Sequence, residues 1–79
     1  MKIEKQIGLT IGNLRRAKGI SQEEFARRAG IDRAYMSNIE NGRRQISIGI
    51  IERIAKALEM PMSELLKRVE EEWNRSLDA

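Results

Sequence analysis

SQEEFARRAGIDRAYMSNIENG, residues 21–42, decides the fold. It reads as two short helices joined by a tight turn, with a helix-start signal before each. Ser21 and Glu24 fit a capping box, in which the hydroxyl takes the amide three residues on and the carboxylate reaches back to the Ser21 amide. Phe25, Ala26 and Ala29 form the inner face of this helix. Gly30 closes it and Ile31 plugs the turn. Asp32 is a favoured N-cap for the next helix. Met36 and Ile39 face inward there, and Asn41-Gly42 ends it. Arg33, Ala34, Ser37 and Asn38 recur at i, i+1, i+4 and i+5, so they share one outward face. Arg, Ser and Asn on an exposed helix face are chemistry suited to base edges in a DNA major groove.

Helical spacing continues on both sides of this stretch. Ile7, Ile11 and Leu14 align on one face of a helix running from about Lys5 to Lys18. Gly8 and Gly12 weaken it by roughly 1 kcal/mol each relative to Ala, so tertiary packing must hold it. Gly19 stops it after the basic turn Arg15-Arg16-Ala17-Lys18. Beyond residue 42, Arg43-Arg44-Gln45-Ile46 is a loop. Ser47 then caps a fourth helix with Ile48, Ile51, Ile54, Ala55 and Leu58 at helical spacing. Met60-Pro61 breaks that helix. A fifth starts near Met62, carries Leu65, Leu66, Val69 and Trp73, and runs to Arg75 or beyond. No sustained period-two alternation, internal repeat, low-complexity segment or linker is present. The expectation is an all-α, five-helix single domain over residues 1–79 with short connections.

Composition narrows the function. A chain of 79 residues buries only about 60–65% of its unfolded surface. It has neither Cys nor His, so disulfides and a zinc framework cannot support it. Oligomerisation is the remaining usual support. No apolar run approaches the roughly 18–20 residues of a membrane span, and the start, MKIEKQIG, lacks the apolar region of a secretory signal. A cytoplasmic protein is expected. Residues 1–44 carry ten Lys/Arg against five Asp/Glu, whereas residues 45–79 carry five against seven. That asymmetry favours a polyanionic partner. Catalysis is not expected: there is no His or Cys for acid–base or nucleophilic work, and Gly8 and Gly12 do not form a phosphate loop after a strand. Glu70-Glu71-Glu72 point around a helix and read as a solvated face rather than a metal site. No metal, cofactor or small-molecule ligand is expected.

Leu14-Arg15, the run from Gly19 to Ala26, Met36 to Gly42, and Ile54 to Leu58 together resemble the lambda-repressor/Cro-like (XRE-like) helix-turn-helix family. The resemblance spans roughly residues 7–66. Asp32 to Ser37 followed by Glu40 to Arg44 looks most like the restriction–modification controller proteins within it, which are small dimeric regulators. The chain departs from the family pattern at Gly12, where a basic residue is common, so a phosphate contact from the first helix is not carried over. It also has a longer tail, from Glu70 to Ala79, than the minimal domain needs.

The resemblance implies that the second helix of the motif enters the major groove. Arg33, Ala34, Ser37 and Asn38 are then the base-reading residues. Arg33 can bridge guanine O6 and N7, which is worth about 1–3 kcal/mol of discrimination. The alternative for Arg33 is a solvated side chain or a partner for Asp32. Phosphate contacts fall to Ser21, Gln22, Tyr35, Asn41, Arg43, Arg44 and Ser47. Ser21 is mainly a cap, and Tyr35 has packing against the fourth helix as its alternative. At most one of Arg27 and Arg28 is expected near DNA. Arg15 and Glu40 are implied to form an ion pair joining the first and third helices. A homodimer through Met60, Met62, Leu65, Leu66, Val69 and Trp73 would read half-sites about 34 Å apart. Leu65, Leu66 and Trp73 have the core as their alternative. The expected partners are a double-stranded DNA operator, a second copy of the chain and RNA polymerase. A phage or genomic repressor, an antitoxin of the same fold, and a helical protein-interaction module that does not bind DNA are the other readings.

Overall fold

Three helices start on the side chains that the sequence offers as caps. In a computed structural model describing residues 2–78, Ser21 Oγ accepts from the Glu24 amide (3.1 Å) and Asp32 Oδ1 from the Tyr35 amide (3.0 Å). Ser47 Oγ accepts from the Ile50 amide (3.2 Å). These caps open α2 (Gln22–Ala29), α3 (Arg33–Glu40) and α4 (Ile48–Ala57). They are preceded by α1 (Ile3–Ala17) and followed by α5 (Met62–Asp78). There is no strand among the described residues. α1 begins two residues before the sequence reading placed it, and α5 runs past Arg75. The second half of the Ser21 capping box is not made. The Glu24 carboxylate turns instead to Arg27 and Arg28, whose charge-assisted bonds outweigh one backbone amide.

Helix endings share one device. After α1, α2 and α3 the chain turns through Gly19, Gly30 and Gly42, all at a φ of about +70°. Paired amide bonds close each end, as in Gly42 N to Ile39 O and Arg43 N to Asn38 O. α4 ends the same way, with Glu59 N bonded to Lys56 O and Met60 N to Ala55 O, but the left-handed residue is Glu59, at φ +59°. Termination therefore precedes the Met60-Pro61 step. An L side chain in this region is strained by a steric clash that glycine lacks. Glu59→Gly is expected to stabilise the domain by about 0.5–1 kcal/mol after the extra unfolded-state freedom of glycine is offset. Urea denaturation measures this, and a loss of stability would refute it.

The core joins α2 and α3 to the rest. Phe25, Ala26, Ala29, Met36 and Ile39 pack with Ile11, Ile51, Ile54, Leu58 and Leu65. Two glycines let α1 approach the end of α3. A Cβ at Gly8 would stand 2.2 Å from the Ile39 carbonyl oxygen, and one at Gly42 would stand 2.7 Å from Lys5 Cα.

α5 packs against α1 and α4 and corrects two expectations. Leu65 and Val69 are buried within the protomer, so neither is free to pair with a second copy. Met60 and Met62 are half-buried against the core. Glu72 does not belong to a solvated face. It continues the Leu65–Val69 stripe by three residues and meets α1, where its Oε2 accepts from Gln6 Nε2 (3.1 Å) and Thr10 Oγ1 (3.3 Å). Gln6 and Thr10 are themselves buried. Leu66 and Leu77 remain exposed and Trp73 is half-buried.

Candidate nucleic-acid interface

The interface is built from the two ends of α3. At its start the Asp32 carboxylate is engaged as the cap, which leaves Arg33 and Ala34 exposed on the first turn. Ser37 and Asn38 lie half-exposed one turn on. Arg33 belongs to none of the ion pairs formed among the described residues. Its five N–H donors are therefore available to a partner.

At its end α3 is anchored. Glu40 Oε2 accepts from Arg15 Nε (2.8 Å) and Glu40 Oε1 from Arg15 Nη2 (3.1 Å). Arg15 Nη1 also donates to the Ile20 carbonyl (2.9 Å), and Gln22 Nε2 donates to Glu40 Oε1 (3.2 Å). The Glu40 carboxylate thus ties α1, α2 and α3 together, and the Arg15 guanidinium adds the α1–α2 turn. Such a fork pairs in a fixed plane and sets orientation as well as energy. No buried side-chain polar atom among the described residues lacks a partner.

The residues expected at phosphates divide into two groups. Arg43 and Arg44 are exposed cations in the loop after α3. The Arg44 guanidinium lies 5.4 Å from the Tyr35 ring centroid, a cation–π contact that holds this loop against α3. Tyr35 is half-buried under it. The other side chains each make a bond within the domain, although the Ser21 and Ser47 hydroxyls accept there and keep their own protons to donate. Ser21 and Ser47 cap helices, and Gln22 completes the Arg15–Glu40 pair. Asn41 Nδ2 donates back to the Ser37 carbonyl (2.9 Å), closing the end of α3. The four-residue spacing of Ser37 and Asn41 is the signal that could have shown this. The link from Gln22 to Glu40 has no local signal. Arg27 and Arg28 both bind Glu24, and with Arg27 the stronger influence they hold its carboxyl down to about 2. Lowered from 4.5, that carboxylate supports α2 above its ordinary range and loses this role only as pH falls towards 2. No described helix is long and apolar enough to cross a membrane.

This geometry has relatives. The helix-turn-helix family model matches residues 11–65. The control protein C.MunI of a Mycoplasma species is 39% identical over 71 residues, covering 89% of this chain and 96% of that protein. The structure of the restriction–modification controller protein C.AhdI from Aeromonas hydrophila matches with a TM-score of 0.76 at 39% identity, over 78% of this chain and 94% of that one. The wild-type restriction–modification controller C.Esp1396I matches with a TM-score of 0.87 at 28% identity, over 95% and 97%. The chain belongs to the helix-turn-helix family of DNA-binding transcription regulators.

Proposed function

We propose that the protein works as a homodimer on a pseudo-palindromic operator in the cytoplasm and controls restriction–modification genes. The observation that carries the reading is Arg33, exposed and without an ion pair on the first turn of a helix anchored at its far end. Arg33 is the chief base reader, with Ala34, Ser37 and Asn38 beside it. Arg43 and Arg44 clamp the backbone, as exposed cations after a recognition helix do. The gene target follows from the controller proteins that the chain resembles over nearly its whole length. Dimerisation would use the outer face of α5, where Leu66, Trp73 and Leu77 lie at helical spacing, with the edges of Met60 and Met62 beside them. Such a regulator would contact RNA polymerase when it activates. It binds and does not catalyse.

Selection of bound sites from a random DNA pool tests this reading. The wild type should enrich inverted repeats. Arg33→Ala should relax one position per half-site, by about 1–3 kcal/mol, whereas Arg43→Ala should weaken all sites about equally. Single unpaired half-sites would remove the dimer. Losses of affinity in both variants with unchanged preference would remove Arg33 as the reader.

A further inference from the structure

Gly8 and Gly12 lie one turn apart on α1, but the fold requires glycine only at the first. A Cβ at Gly8 would meet backbone, whereas a Cβ at Gly12 would meet only side-chain tips. Those tips are Arg16 Nη1 and Nη2 and Glu40 Oε1, each at 3.3 Å. The space above Gly12 is filled by the Arg16 guanidinium, folded back one turn along α1 and steadied by Nη2 donating to Asn13 Oδ1 (2.8 Å). It arrives beside a carboxylate that is already satisfied. Glu40 takes two bonds from Arg15 and one from Gln22. Arg16 forms no ion pair among the described residues and is exposed. Arg15, Arg16 and Glu40 therefore sum to one positive charge, and the exposed member of the three carries it. Around the same Glu40 oxygen, Gln22 marks the start of α2, where free amides and the helix dipole also favour an anion.

We propose that Arg16 is a DNA-backbone contact of α1. Gly12 opens a slot, the guanidinium lies in it, and its free donors reach a phosphate at the start of α2. The proposal rests on the DNA-binding reading of the interface. It gives Gly12 a use, although position 12 itself has no side chain to offer.

Fluorescence anisotropy with a mixed-sequence duplex across a salt series tests it, because a backbone contact is read on any sequence. Arg16→Ala should bind more weakly at low salt with an unchanged thermal midpoint, and the slope of log affinity against log salt should fall by about 0.9, one phosphate. The wild-type advantage then shrinks roughly threefold for each fourfold rise in salt. Arg16→Lys should restore the slope. Gly12→Ala should push the guanidinium from its slot and weaken binding, while the thermal midpoint changes little because better helix propensity offsets the 3.3 Å contact with Glu40 Oε1. An Arg16→Ala slope and affinity equal to wild type would overturn the proposal, as would a loss of binding that tracks a loss of thermal stability. Wild type that fails to bind the duplex even at low salt would overturn the DNA-binding reading itself. Wild-type binding with an indifferent Arg16→Ala removes this inference alone.

Discussion

Glu40→Ala is expected to remove about 3–5 kcal/mol from the stability of the domain, the cost of leaving a buried charge without its partner. The Arg15 side chain is only 11% exposed and that of Glu40 only 8%, so water cannot fully take over the missing bonds. Arg15 would keep the Ile20 carbonyl and lose both carboxylate oxygens, and Gln22 would lose its acceptor. The pair is not wholly dry, which places the expected loss nearer the lower figure. Small domains have only about 5–15 kcal/mol in total, so the variant would be marginal at physiological temperature. Arg15→Ala should cost a similar amount. The double variant should cost clearly less than the two singles together, because it leaves no orphaned charge. Denaturant unfolding of the four proteins measures this. Additive losses would mean that the pair does not join α1 to α3 energetically. At temperatures where Glu40→Ala stays folded, its DNA affinity should also fall, since Glu40 is the point from which α3 is held against α1 and α2.

What could be read in the sequence was local. Ser21, Asp32 and Ser47 cap helices because a short oxygen-bearing side chain bonds an amide three residues away, and no distant contact is needed. Gly19, Gly30 and Gly42 are legible as stops for the same reason. The Arg15–Glu40 pair spans 25 residues and was available only through family resemblance. Glu59 was invisible because nothing in a glutamate announces a left-handed turn. α5 misled for a different reason. It carries two neighbouring apolar stripes, Leu65–Val69 and Leu66–Trp73–Leu77, and periodicity alone does not say which one the protomer keeps. Extending the first stripe by three residues reaches Glu72, whose inward position was thus within reach. Its partners Gln6 and Thr10, more than 60 residues away, were not.

Gly8→Ala should destabilise the domain by about 3 kcal/mol or more, at the severe end of overpacking, even though helix propensity alone favours the change by roughly 1 kcal/mol. The sign is decided by what the new methyl meets. Its nearest neighbours would be the Ile39 carbonyl oxygen at 2.2 Å, the Glu40 carbonyl oxygen at 2.8 Å and the Glu40 carbonyl carbon at 3.0 Å. All are backbone atoms in the last turn of α3, so no rotamer change relieves the contact. α1 and α3 must separate by on the order of 1 Å, which packed interiors resist. At about 4–8 °C per kcal/mol for a domain of this size, the thermal midpoint should fall by roughly 12–24 °C. Gly12→Ala is the comparison: it makes the same change in propensity one turn later, meets the swinging end of Arg16 and the held Glu40 Oε1 at 3.3 Å rather than backbone at 2.2 Å, and should lower the midpoint far less than Gly8→Ala. Equal midpoints for the two variants would mean that α1 does not approach α3 as closely as the Gly8 geometry requires. The consequence for function runs through α3. The Gly8 contact, the Gly42–Lys5 contact and the Arg15–Glu40 pair all grip the C-terminal end of α3, whereas Arg33 stands exposed at its N-terminal end, which packs through Met36 and Tyr35. A shift imposed at that end is carried along the helix to Arg33, the residue proposed to read bases. Any Gly8→Ala protein that still folds should lose discrimination between DNA sequences before it loses affinity for DNA as such.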